Sequence, residues 1–114
     1  MEKYIKSTER QAVTEYYARR IRRDAYLCKT TRTIRGTARV EVSIAYRNDS
    51  GDPDKMSYRV KWFDGGTLKE CENGVTIDQA ARAMADFVQL SEMGYTMKEM
   101  LYPAAGTPAP WLEK

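Results

Sequence analysis

Two stretches of strict alternation limit this chain more than any other feature. Over residues 39–46 the apolar side chains Val40, Val42, Ile44 and Tyr46 alternate with Arg39, Glu41, Ser43 and Ala45. Over residues 56–63 Met56, Tyr58, Val60 and Trp62 alternate with Ser57, Arg59, Lys61 and Phe63. A period of two sends successive side chains to opposite faces of a strand, so each stretch predicts a strand buried on one side and solvated on the other. Residues 48–54, rich in Asn, Asp, Gly and Pro, read as the loop between them. Asp64-Gly65-Gly66 marks a tight turn into a third strand over residues 67–72, and Asn73-Gly74 is expected to close the sheet.

Helical patterns flank this meander. Residues 8–27 predict a helix in which Thr8 and Gln11 have the spacing of a capping box. Val13, Tyr17 and Ile21 form its apolar stripe, widened by Tyr16, Ala25 and Ala12. Residues 28–36 are β-branched and basic, a connector or the start of a strand. Thr76 and Gln79 repeat the capping-box spacing ahead of a helix over residues 77–93. Ala80, Ala81, Met84, Phe87 and Val88 supply its buried side, with Arg82, Asp86, Gln89 and Glu92 toward water. Gly94 suits the left-handed position that ends a helix, and Thr96 with Glu99 opens a short third one. The expected fold is α+β: an N-terminal helix, a three-stranded antiparallel meander, then a helix and a short helix, with the helices on one face of the sheet. Residues 1–102 make the single domain expected of a 114-residue chain, and residues 103–114 an extended, Pro-containing tail. Trp111 and Leu112 in that tail read as either a hydrophobic latch or an exposed partner contact.

Chemistry is harder to place. The chain has no histidine, which removes the commonest general base and metal ligand. It has no GxSxG elbow, phosphate loop or dinucleotide glycine fingerprint. Cys28 and Cys71 stand apart, outside any CxxC spacing, and are expected to be reduced thiols. Asp49, Asp52 and Asp54 read as a solvated acidic turn, because Pro53 interrupts them and no closing Glu completes a calcium loop. Glu70 and Glu72, on either side of Cys71, are expected to face water. The expectation is therefore a protein that is not an enzyme and uses no metal or other cofactor. The charged start of the chain lacks an apolar signal segment, and no run is long enough to span a bilayer, so a cytoplasmic protein with no membrane partner is expected.

Charge distribution points to binding. Residues 1–39 hold eleven basic and four acidic side chains, a net +7; the whole chain is +3, which leaves −4 for the remainder. Arg19, Arg20, Arg22 and Arg23 crowd the end of the first helix, and Lys29, Arg32 and Arg35 follow closely. These seven are the candidate partner-binding residues. Arginine pairs in a fork with carboxylate or phosphate, so the expected partner is an acidic protein surface, a nucleoprotein complex or nucleic acid itself. Tyr16, Tyr26 and the outward Phe63 are candidates for stacking on bases. A homodimer through the exposed third strand is a further possibility.

The order helix, three strands, helix resembles a double-stranded RNA-binding domain over residues 37–93. That family carries a lysine-rich start to its last helix, where this chain has Thr76-Ile77-Asp78-Gln79. The short, charge-polarised chain without catalytic motifs is also similar to the accessory proteins of phages and mobile elements, anti-CRISPR inhibitors among them. That resemblance implies a compact inhibitor that blocks a host nucleic-acid-handling complex by occupying a surface.

Overall fold

The two alternating stretches form the centre of an antiparallel sheet. The computed structural model describes residues 5–24, 29–34, 38–46, 51–102 and 111–112. β1 (Ile5–Lys6) leads into α1 (Ser7–Asp24), followed by β2 (Lys29–Ile34), β3 (Ala38–Tyr46), β4 (Ser57–Asp64) and β5 (Thr67–Val75). α2 (Ile77–Glu92), α3 (Met97–Leu101) and β6 (Trp111–Leu112) complete the chain. The expected meander is β3–β4–β5. The basic segment after α1 adds β2 alongside β3, so the sheet order is β2-β3-β4-β5 and every pairing is antiparallel.

Val40, Val42, Tyr58, Val60 and Trp62 are buried on the helix-covered face, as their alternation requires. Tyr46, expected beside them, is exposed instead, because the β3–β4 register slips between Ile44 and Tyr46. The turn after Asp64 uses Gly65 and Gly66 at φ 62° and 81°. Two consecutive positive φ values are the mark of the two-residue hairpin turn whose twist matches its strands. β5 runs past Asn73-Gly74 to Val75. Its register with β4 slips at Gly74, which at φ 70° is the extra residue of a bulge, and again at Lys69.

α2 supplies most of the helical cover. Its N-terminus is the capping box expected: Gln79 N–H donates to Thr76 Oγ1 at 3.1 Å, and Thr76 N–H to Gln79 Oε1 at 2.9 Å. Ala80, Ala81, Met84 and Ala85 are fully enclosed, and Phe87 and Val88 nearly so. At its end Tyr95 N–H donates to Leu90 O and Gly94 N–H to Ser91 O, the doubled closure that a left-handed Gly94 permits. Thr96 and Glu99 cap α3 in the same way as α2.

α1 departs from its sequence reading. It begins at Ser7, so Thr8 lies inside the helix and does not cap it. Its buried side is Thr14, Tyr17, Ala18 and Ile21, while Tyr16 and Ala12 are exposed and Val13 is half-buried. The stripe is turned because α1 packs against α2 as well as the sheet. Arg82, expected in water, donates through Nε to Thr14 Oγ1 at 3.0 Å and through Nη2 to Gln11 Oε1 at 2.9 Å. Asp86 likewise receives both forks of Arg10 at 2.9 Å. β1 and β6 pair in parallel, Ile5 with Trp111 and Lys6 with Leu112, so the tail meets the body at the start of α1. Ala25, Tyr26, Cys28, Arg35 and Asp49 lie outside the described residues, as do 103–110 of the tail. Among the described residues no helix is long and apolar enough to cross a membrane.

Candidate functional site

The seven expected binding residues divide into groups. α1 carries four arginines over its last two turns, where positive charge offsets the negative helix end by about 0.3–1 kcal/mol each. Helix geometry then sorts them. Arg19 and Arg23 are four residues apart and share a face, with Arg20 next to them. Together with Tyr16, one turn earlier, they line a shallow concavity of about 230 Å³. Tyr16 is 51% exposed, and its ring meets that of the buried Tyr17 edge-on, centroids 5.0 Å apart at 84°. The exposed aromatic is thus held in place by a core aromatic.

Arg22 projects elsewhere. Its Nε lies 2.6 Å from Asp54 Oδ1, in the loop before β4, and that hydrogen bond pushes the guanidinium above its ordinary pKa. Asp54 is itself positioned by a short 3₁₀ turn, Pro53–Lys55, which Asp52 caps by accepting from Asp54 N–H at 3.0 Å. Both partners are substantially exposed, so the pair contributes about 0–1 kcal/mol to stability. Its larger effect is to remove Arg22 from the basic group. Lys29 and Arg32 lie on β2, in register with Ser43 and Val40 of β3, and Arg35 lies outside the described residues. The arginines that the fold brings together are Arg19, Arg20 and Arg23.

Arg19 also stands at the lip of a second hollow, about 680 Å³, between α1 and the start of α2. Its walls mix Arg19, Arg22 and Arg82 with Glu15 and Asp78. The opposed charges leave little net field there, and Arg82 is already held by Thr14 and Gln11. On the open sheet face Arg39 and Arg59 are engaged within the sheet, although Arg39 Nε has no hydrogen-bond partner. Arg39 pairs with Glu41 at 2.9 Å and lies 4.2 Å over the Phe63 ring, which covers the aromatic face expected to stack on bases. Arg59 Nε donates to Asn73 Oδ1 from the neighbouring strand. Cys71 is a free, half-buried thiol on β5, opposite Lys61.

Sequence reasoning missed two features. Arg82 and Asp86 belong to the helix–helix contact, and nothing in α2's own periodicity separates such residues from a solvated face. Glu70 and Glu72 pair with Trp62 and Val60, so they sit on the helix side of the sheet, where Glu72 is exposed as expected and Glu70 is half-buried. The signal for that was the bulge at Lys69, which no composition rule reveals. Comparison of the chain with protein-family models, with curated proteins and with solved structures finds no match.

Proposed function

We propose that this chain is a small non-enzymatic binding protein that sets the basic end of α1 against an anionic surface of a nucleic-acid-handling complex. By occupying that surface it blocks or modulates the complex, in the manner of small phage-encoded inhibitors of the anti-CRISPR kind. The observation that carries this reading is the gathering of Arg19, Arg20 and Arg23 around the half-exposed Tyr16. Guanidinium groups pair in a fork with carboxylate or phosphate, and an adjacent aromatic adds area at little conformational cost. Direct contact with nucleic acid is the second reading. The exposed ring of Tyr16 beside the arginines favours it, since such a ring can stack on a base.

One pair of measurements tests both. Reversing Arg19→Glu and Arg23→Glu abolishes capture of the partner complex while the circular dichroism of the domain stays unchanged; unchanged capture overturns the proposal. Titration of labelled single-stranded and duplex nucleic acid across a salt series separates the two readings. Three arginines on three phosphates give a slope of log K against log[salt] of about −2 to −3. Absence of binding at low salt leaves the protein surface as the target.

A further inference from the structure

A hollow of opposite charge to the arginine end lies on the far side of α2. Because of the bulge at Lys69, β5 turns Glu70 and Glu72 toward the helix layer opposite Trp62 and Val60. α2 and α3 do not close over them. A cleft of about 450 Å³ remains, with Trp62 and Leu90 at its base, Met100 and Leu101 on the α3 side and the two carboxylates along the strand. Of the charges on the α2 wall, Arg82 and Asp86 oppose each other and both are bonded to α1. Glu70 accepts from the exposed Tyr102 hydroxyl at 3.2 Å, while the Glu72 side chain makes no hydrogen bond or ion pair among the described residues. The net field in the cleft is negative.

An apolar base with carboxylates along one side suits a cation on an apolar stem, which for a protein means an arginine or lysine side chain. Inward charge on an edge strand also discourages edge-to-edge pairing. That accounts for the charges; it leaves the apolar hollow beside them unexplained. The complementary group is present in the same chain. The Tyr16, Arg19 and Arg23 end of α1 is cationic and exposed, the Arg19 side chain makes no ion pair or hydrogen bond among the described residues, and no α1 residue lines this cleft. Within one molecule the two patches therefore do not neutralise each other. We propose that the Glu70–Glu72 cleft receives the arginine end of α1 from a second copy of this chain, in a head-to-tail contact.

Such a contact joins two different surfaces, so each copy keeps one of each and association continues beyond two unless the ring closes. It occupies the same arginines as the proposed anionic partner and competes with it, yet it is tested without that partner or any nucleic acid. In sedimentation velocity the average mass of the unsubstituted protein rises with concentration and falls with added salt. Glu70→Gln/Glu72→Gln and Arg19→Gln/Arg23→Gln each weaken association by about tenfold or more. Mixed in equal amounts, the two variants form a dimer that grows no further, because one intact cleft meets one intact arginine end. A wild-type protein that is monomeric throughout, or an association that survives the carboxylate substitutions, overturns the proposal. Since Glu72 is exposed and Gln keeps an acceptor for Tyr102, the carboxylate variant remains a sound test even where the arginine variant fails to fold.

Discussion

Thr14 shows how much of this fold depends on single polar groups at the seam between the helices. It is 4% exposed; its hydroxyl donates to Arg10 O at 2.7 Å and accepts from Arg82 Nε at 3.0 Å. Thr14→Val keeps the shape and removes the acceptor, leaving Arg82 Nε short of a partner in a half-buried place. The expected loss is about 1–3 kcal/mol, read as a lower urea midpoint at unchanged slope. Tyr102 gives a second test at this scale. Repulsion from the Glu70 charge disfavours the phenolate and raises the Tyr102 pKa above the ordinary tyrosine value. The neutral, donating form is the one the fold favours. The stabilisation is therefore complete below the unfolded-state pKa and is lost as pH rises through the folded one. In Glu70→Gln protein the Tyr102 ring, followed by NMR, titrates at lower pH than in the wild type; an unchanged titration would sink this assignment.

α2 and β5 stand at opposite extremes of what a sequence discloses about an element. α2 was legible everywhere but on the side where Arg82 and Asp86 meet α1: a box at Thr76 and Gln79, a stripe of small and large apolar residues, and a glycine where the chain must turn left-handed. Each of those signals is local, and the core agrees with all of them. Phe87, 2% exposed among the residues that fill the core, is the side chain on which that agreement rests most heavily. Phe87→Ala lowers unfolding free energy by about 3–5 kcal/mol, whereas Thr76→Ala, which loses one cap at an exposed position, costs about 1 kcal/mol. Chemical denaturation of the two variants side by side checks that ratio. β5 was only partly legible. Its turn glycines announced it, but the extra residue at Lys69 decides which face Glu70 and Glu72 occupy, and that depends on pairing with β4. α1 lies between the two. Its arginine cluster was plain in the sequence, yet the capture of Arg22 by Asp54, 32 positions away, belongs to tertiary structure alone.

Over the whole molecule, the basic end of α1 and the β1–β6 pair sit at opposite ends of one helix, and this separates the proposed binding surface from closure. β1 adjoins Ser7, and Arg19 lies twelve residues further on, about 18 Å along the helix axis. Ile5, 5% exposed, is buried where β1 pairs with β6. The core of α2, β3 and β4 does not include that pair. Removal of residues 103–114 therefore opens one end of the molecule without dismantling the rest. Amide exchange at Ile5 and Lys6 accelerates to the rate of an open chain, while amides of Val60 and Met84 keep most of their protection. The arginines at the other end of α1 keep their geometry, since Tyr17 and Ile21 remain anchored in the core. The truncated protein then captures the proposed anionic partner as well as the untruncated chain does. Loss of capture with Val60 and Met84 still protected would move the binding surface from the arginine end to the tail, and with it the reading of Trp111 and Leu112 from latch to partner contact.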